Sequence, residues 1–539
     1  MQKEILKGFR LSPQQKQIWM SRQDGPAPQM ACAILLRGDL KIDALKQALQ
    51  NVVDRHQILR TTFHKRPGTK LPVQVINENA APLWEEIDLS DRSVSQREAE
   101  LDERLHRQDA NAIENERGSL LSATLIRWTA RERVLLVSLS PLCSDPRTLK
   151  NLVREIGRSY QASVERTELS DEPVQYAQFS KWQNELLEDE GDEGKGYWLK
   201  QDFSIYEATS LPIRRRRIGE TQEQYEVLTS RIAPALAASL EALAGECGVS
   251  VKTLLFSCWQ ALLWRYTGQS PVVISTAFDC RSYEELEEML GPCAKHIPLR
   301  HPLKEGLRFR DLAEKVHDSI NEAAEYQDYF SWEQIDGSES TLSRYRLSYH
   351  ELPESRAAAD VTFSLYKQRV IAGKFEIEMS YVRSDDSLFA EICYDPSQFS
   401  AENISHLSRN LQTILKNAVG NPDAMIDALE ILSEPDRRQL LVEFNNTDTA
   451  FNEGGCIHQL FERVAELMPA GKAAIYGGEH LTYEELNSKA NQLARHLRRQ
   501  GVGPESLVGI LMDRGLQVLV ALLGVLKAGG AYVPLDPGY

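Results

Sequence analysis

An α/β fold built from more than one lobe is predicted from three observations. Apolar runs of strand length alternate with segments of helical periodicity. That alternation restarts after a polar, acidic interruption at residues 165–192. A second change of character follows residue 433. With 539 residues, the chain is long enough for about three to four compact units at roughly 150 residues each.

Ala31 to Leu36 reads as a strand, and Ile42, Leu45, Leu49, Val52 and Val53 then recur at helical spacing. Val134 to Leu139 is a continuous apolar run, suited to a strand buried on both faces. Leu149, Leu152, Val153 and Ile156 mark the next helix. The stretch Glu165 to Asp192 reads as a loose crossing between lobes. Beyond it, Leu236, Leu240 and Leu243 mark one helix, Leu254 to Tyr266 a second, and Val272 to Thr276 a strand. Phe375, Ile377, Met379 and Tyr381 alternate with other residues, and Leu388 to Tyr394 follows an Asp-Asp-Ser turn, which is a hairpin pattern. Ile404, Leu407, Leu411 and Ile414 close this part with an amphipathic helix. Residues 433–455 are polar and turn-rich, as an interdomain linker is. A new unit starts near Cys456, with a helix at Leu460 to Leu467, a hairpin at Ala473 to Leu481 and a helix at Tyr483 to Arg499.

Hydrophobic residues make up 42% and charged residues 26%, proportions of a soluble globular chain. The net charge of -16 argues against nucleic acid as a partner, because a phosphate backbone selects a basic face. The run Arg214 to Arg217 is read as a solvated connector. No segment approaches the roughly 18–20 apolar residues of a membrane span, and the N-terminus lacks an apolar signal core. The cysteines are scattered with no CxxC pair, so neither zinc nor redox spacing is present. Reduced thiols in a cytoplasmic protein are expected.

Four segments, in order, carry a family resemblance. Ser12-Pro-Gln-Gln-Lys-Gln-Ile-Trp19-Met20 resembles the opening motif of the condensation domains of nonribosomal peptide synthetases. Arg55-His56-Gln-Ile-Leu-Arg60-Thr-Thr-Phe63 resembles their second motif, and Tyr176-Ala-Gln-Phe179-Ser-Lys-Trp182 the fourth. Leu290-Gly291-Pro-Cys-Ala-Lys-His-Ile-Pro298-Leu-Arg300 is similar to the fifth. One such match is weak evidence; four in order are strong. Further on, Leu481-Thr-Tyr-Glu-Glu-Leu486 and Leu526-Lys-Ala-Gly-Gly-Ala-Tyr-Val-Pro-Leu-Asp536 resemble the first two adenylation motifs. The resemblance implies two chloramphenicol-acetyltransferase-like lobes forming a V with a central tunnel, plus an incomplete α/β adenylation fragment. The implied division is 1–190 and 191–432 for the two condensation lobes, 433–455 for the linker and 456–539 for the adenylation fragment.

The departure from the family lies between the lobes. Where the family carries HHxxxDG, this chain reads Ser140-Pro141-Leu-Cys143-Ser-Asp145-Pro146. Proline offers no proton acceptor, so Pro141 cannot stand in for the family's second histidine. Ser140 without an adjacent histidine is a weak base and nucleophile. Cys143, in an apolar stretch, reads as a structural thiol. Asp145 followed by Pro146 is a good helix start, with Asp as N-cap and Pro in the first turn. The resemblance implies that Asp145 holds the loop through Arg281. The heterocyclization variant of the family reads DxxxxDxxS, which Asp145 and Thr148 match in part. His56 is expected to be structural, and His296 is kept as a candidate base. The catalytic candidates are therefore Ser140, Asp145, Thr148 and His296, with Pro141, Cys143, Pro146 and Arg281 shaping the site.

Three functions remain open. The first is carrier-dependent transfer of an acyl or peptidyl thioester to an acceptor, at an altered site. The second is a docking or recruitment module that makes no bond, and the third is heterocyclization. The expected partners are an upstream donor and a downstream acceptor peptidyl carrier domain, each with a phosphopantetheine arm, and the rest of the adenylation domain; the chain is expected to be a monomer. No bound cofactor or metal is expected. No phosphate-cradling loop is found, so no ATP site is expected in what reads as a piece of a longer synthetase.

Overall fold

The computed structural model describes residues 8–21, 29–65, 68–106, 120–189, 193–201, 210–215, 225–333, 344–384, 387–448 and 455–538. It divides into two compact units, Met1–Gln439 and Leu440–Tyr539.

In chain order the strands of the first unit are β1 (Gln29–Gly38), β2 (Thr61–Lys65), β3 (Pro72–Ile76), β4 (Leu83–Asp88), β5 (Leu121–Arg127), β6 (Glu132–Leu139), β7 (Glu226–Ile232), β8 (Val272–Phe278), β9 (Lys295–His301), β10 (Tyr345–Glu351), β11 (Arg356–Ala358), β12 (Val361–Ile371), β13 (Ile377–Ser384) and β14 (Ser387–Tyr394). They form one six-stranded sheet in the order β11-β12-β1-β6-β5-β4, another in the order β7-β14-β13-β10-β8-β9, and the pair β2-β3. This is the predicted α/β architecture.

The apolar runs find their cause in the first sheet. β6 lies between β1 and β5. Its Val134 and Leu136 pack into one cluster with Leu101 and Leu105 of the helix Val94–His106. Leu135, Val137 and Leu139 pack on the opposite face with residues of the helices Ile42–Arg55 and Pro146–Glu165. A strand covered on both faces has no solvent side to alternate toward. The second sheet differs. Leu347, Ile377, Met379 and Tyr381 join a core with the helices Pro234–Cys247, Val251–Thr267, Phe309–Glu325 and Ala401–Gly420. By the two-residue period, their neighbours Arg346, Ser348 and Glu378 face the other way.

Three features differ from the sequence reading. The crossing segment holds a helix, Tyr176–Glu188, whose buried side is Tyr176, Phe179, Ser180, Gln183 and Asn184. These positions have helical spacing, but three of the five are polar, so apolar periodicity alone passes over them. Secondly, β11 and β12, late in the chain, complete the first sheet: β12 pairs antiparallel with β1 from Gln29↔Ile371 to Gly38↔Val361. Thirdly, Arg214 is exposed, as expected of a solvated connector, but it is also tied to its surroundings. Its Nη2 lies 3.3 Å from the buried Glu376 carboxylate and its Nε donates to Gln398 Oε1 at 2.9 Å; Arg216 and Arg217 lie outside the described residues. The predicted hairpin is present as β13-β14, with Asp385 and Asp386 of its turn outside the described residues.

The second unit contains β15 (Lys472–Tyr476), β16 (Glu479–Thr482), β17 (Leu507–Leu511) and β18 (Ala531–Leu535). Thr482 and Glu485 cap the helix Tyr483–Arg499 reciprocally. Lys527 donates to Asn487 Oδ1 at 2.6 Å and Asn491 Oδ1 at 2.9 Å, tying the helix Leu516–Ala528 to it. The parallel pair β17-β18 leaves Leu507 and Leu511 exposed, although parallel strands are normally covered on both faces. No helix among the described residues is long and apolar enough to cross a membrane.

Candidate functional site

The SPLCSDP segment connects β6 to the helix Pro146–Glu165. Ser140 is fully buried and its hydroxyl accepts from Leu142 N at 3.3 Å, starting a single 3₁₀ turn over Pro141–Cys143. Cys143 is also fully buried, and its thiol donates to the Ser140 carbonyl at 3.0 Å. Asp145 caps the following helix, accepting from Thr148 N at 2.7 Å, with Pro146 in the first turn.

Asp145 is also the centre of a wider knot. Its Oδ2 accepts from Cys293 N at 2.8 Å and Ala294 N at 3.0 Å. Arg281 pairs with it bidentately, Nη1 to Oδ2 at 3.0 Å and Nη2 to Oδ1 at 3.1 Å. The same guanidinium donates to Gly291 O at 2.9 Å and contacts Asp279. Thr148 Oγ1 accepts from Gly291 N at 3.0 Å and lies 2.8 Å from both Asp145 Oδ1 and Gly291 O. Burial pushes the Asp145 carboxyl up, but Arg281 and the backbone donors outweigh it, and the group sits below its ordinary 3.8. Its lone pairs are all engaged, which leaves no acceptor site for a substrate proton. Tyr176 joins the knot from the fourth motif. Its hydroxyl donates to Pro292 O at 2.9 Å, so Ser12 Oγ, 2.7 Å away, is the donor to Tyr176.

A cavity of about 710 Å³ lies between the two sheets. Met30, Val370 and Ala372 line it from the first sheet and its continuation. His296, Ser348 and Glu378 line it from the second. Ser144, Asp145 and Pro146 reach its wall, whereas Ser140, Pro141, Cys143 and Thr148 do not.

His296 thus stands apart from the SPLCSDP candidates. It sits on β9 opposite Ala277 of β8. Its Nε2 lies 3.9 Å from Glu378 Oε1, beyond hydrogen-bond distance. Burial, then the charges of Arg346, His350 and Lys252, hold its pKa well below 6.5, so the ring is neutral at physiological pH. Glu378 and Ser348 were not found by sequence reasoning. Ser348 Oγ donates to Glu378 Oε1 at 2.5 Å. Burial raises the Glu378 pKa above its ordinary 4.5, with Arg346 and Ser348 offsetting part of the effect. A buried carboxyl of raised pKa on a cavity wall is a candidate for proton transfer. Lys295 is committed elsewhere: its ammonium donates to the carbonyls of Gln327, Asp328 and Phe330 at 2.8–3.0 Å. No cluster able to hold a metal ion occurs among the described residues.

Comparison with known proteins agrees with this architecture. The profile of the Condensation domain matches residues 6–441, and that of the AMP-binding enzyme family matches residues 461–539. The chain is 30% identical to a linear gramicidin synthase polypeptide of Brevibacillus parabrevis over 98% of its length, covering 11% of that protein. It is 33% identical to chondramide synthase cmdD of Chondromyces crocatus over 98%, covering 14%. The chain therefore spans about a tenth of the length of such relatives. A four-domain nonribosomal peptide synthetase solved with AMP and glycine matches the whole chain with a TM-score of 0.80 at 18% identity, over 42% of that structure. The X-domain from teicoplanin biosynthesis, solved in complex with OxyB, matches 79% of the chain and 97% of its own with a TM-score of 0.65 at 22% identity. Motifs, fold and relatives converge: the chain belongs to the condensation-domain family as it occurs in nonribosomal peptide synthetases, followed by the start of an AMP-binding unit.

Proposed function

We propose that the first unit transfers an acyl or peptidyl group from a carrier-bound thioester to a carrier-bound amine, with Glu378 as proton acceptor and His296 and Ser348 beside it. The observation that carries this reading is the grouping of these side chains on the wall of one cavity of about 710 Å³, a volume typical of sites that enclose a small molecule. A thioester is already activated, and holding the two reactants together supplies effective molarities of roughly 10⁵ M and above. The demand on the base is therefore modest, and a carboxylate meets it without the family's paired histidines. The partners of this reading are the donor and acceptor carrier domains whose phosphopantetheine arms deliver the reactants.

A second reading has its own observation. By the resemblance, Pro141 takes the place of the family's second histidine, and in the structure Asp145 is fully engaged by Arg281 and backbone donors. A segment built only as a brace suits a recruitment module, the role that the OxyB complex suggests for the X-domain. Heterocyclization is less supported, because Thr148 is engaged in the same knot as Asp145.

The test is a reconstituted transfer within the intact module, with loaded upstream and downstream carriers and products read by intact-protein mass spectrometry. A linear amide on the downstream arm is expected. Glu378→Gln should slow it about 10²–10⁴-fold, more than Ser140→Ala does. Because the base acts when deprotonated and its pKa is raised, the ratio of wild-type to Glu378→Gln rates should climb as pH rises past 4.5 and level off above the folded-state pKa, the titration of the acceptor amine being common to both. A product lighter by one water would indicate heterocyclization. Absence of transfer with carriers competent in a control module would favour recruitment.

A further inference from the structure

The cavity is not lined evenly. Met30 of β1 and Val370 of β12 are register partners, and with Ala372, two residues on, they make an apolar strip on the wall supplied by the first sheet. Val370 and Ala372 are partly exposed, so solvent reaches them and so does whatever the cavity holds. Trp19 and Met20 of the helix Pro13–Ser21, also partly exposed, add further apolar surface. Most of the charged lining residues lie at the rim or are engaged within the protein. Lys65, Lys70 and Glu333 are exposed. Asp145 is held by Arg281, and Lys295 by three carbonyls.

The strip starts beside the proposed base. Arg346 of β10 is the register partner of Glu378 of β13, and neighbouring strands run about 4.8 Å apart. The Arg346 guanidinium reaches the chain as it leaves β12, donating to Ala372 O at 2.5 Å and to Lys374 O at 2.7 Å. A Cβ built at Gly373 would lie 3.7 Å from Arg346 Nη2 and 3.8 Å from Ser21 Oγ, so the end of the helix Pro13–Ser21 meets the same point. One buried arginine thus ties the apolar strip to the strand pair that carries Glu378.

We infer that the strip Met30–Val370–Ala372 selects a bulky apolar side chain on an aminoacyl group at the point of transfer. This deepens the transfer reading above and rests on it. Either reactant can bring the side chain. In the acceptor the α-carbon is bonded to the attacking nitrogen, and in the donor it is bonded to the thioester carbonyl carbon. Both positions are within two bonds of the nitrogen whose proton Glu378 takes, which is where the strip begins. An apolar side chain laid on the strip removes both surfaces from water. An ionised side chain in the same place loses hydration against an apolar wall, and a glycyl group leaves the strip uncovered.

The test uses the 539-residue chain and small probes in place of carriers. In one arm the acceptors are glycyl, leucyl, phenylalanyl and glutamyl amides of aminopantetheine, each offered with N-acetylglycyl pantetheine as donor. In the other arm the donors are the N-acetylated glycyl, leucyl, phenylalanyl and glutamyl thioesters of pantetheine, each offered with the glycyl acceptor. Amide products are quantified by mass spectrometry as kcat/KM. On at least one arm the leucyl or phenylalanyl probe should exceed both the glycyl and the glutamyl probe by about 10- to 100-fold, and that arm identifies the reactant. In Ala372→Leu, which fills the end of the strip nearest Glu378, the ratio of bulky to glycyl rates should fall about 10-fold or more. Melting temperatures are read first. If Ala372→Leu does not fold, Val370→Asn takes its place with the same fall expected. Equal rates along both arms overturn the inference and leave the transfer reading standing. A glutamyl probe faster than the leucyl one also overturns it, and points to the half-buried Lys374 of the lining as the selecting group. A preference that survives unchanged in the folded variant overturns the strip as its source. A wild-type chain that transfers between none of these pairs overturns the inference and the transfer reading together.

Discussion

Asp145 and Arg281 form a buried pair whose contacts all lie within the protein. The Arg281 side chain is 1% exposed and that of Asp145 5%. A buried charge left wholly uncompensated costs about 3–5 kcal/mol; without Asp145, Arg281 keeps Asp279 as a carboxylate partner, which places the loss at the lower end of that range. Asp145→Asn should therefore lower the unfolding free energy by about that amount at pH 7, measured by urea denaturation. The pH dependence follows from the direction of the shift. The folded-state pKa lies below the ordinary 3.8, so the carboxylate's contribution is complete above 3.8 and is lost as pH falls through the folded-state value. The gap between wild type and Asp145→Asn should accordingly narrow below about pH 4. Equal gaps at pH 7 and pH 3 would mean that the carboxylate's charge is not what stabilises the knot. The Asp-Pro helix start was readable in the sequence because capping is local. Glu378 was not. In the alternating strand around it, a glutamate reads as the solvent-facing partner of Ile377 and Met379, and only the facing sheet turns that side into a cavity wall.

Between elements, segments far apart in the sequence meet around the SPLCSDP segment. The helix Pro13–Ser21 brings Gln15, whose amide donates to Leu142 O at 2.9 Å. The helix Tyr176–Glu188 brings Tyr176, and the loop before β9 brings Gly291. Gly291 has φ +139, and a Cβ there would lie 2.0 Å from Tyr176 Cδ2. The ring is held by its hydrogen bonds to Pro292 and Ser12, so it cannot yield freely. Gly291→Ala should destabilise the unit by about 2 kcal/mol or more, combining backbone strain with overpacking. Calorimetry reads the loss of stability, and hydrogen exchange should show faster opening at the N–H groups of Cys293 and Ala294, both donated to Asp145. A variant with wild-type stability and exchange would show that Tyr176 adapts.

The path of the chain makes the two halves of the first unit interdependent. β1 lies between β6 and β12, and β12 comes from residues 361–371. Arg369 of β12 donates to Gln29 Oε1 at 2.7 Å, and Lys367 donates to Glu98 and Asp102 at 2.7 Å. Residues 1–190 produced alone would leave one edge of β1 unpaired, an edge that invites aggregation. That piece should show no cooperative melting by circular dichroism, and production together with residues 191–432 should restore it. An independent, cooperative transition for 1–190 would show that β12 is dispensable. Local physics explains what was legible beforehand: strand and helix periods, caps, turn residues and short motifs each depend on neighbours within a few positions, and they sufficed for the α/β class, most elements and the helix start at Asp145 and Pro146. The polar-faced helix Tyr176–Glu188, the return of β12 to the first sheet, the burial of Glu378 and the tie from Arg346 to Ala372 depend on contacts between residues tens to hundreds of positions apart. Burial and hydrogen-bond pairing are properties of those contacts, and only the folded chain decides them.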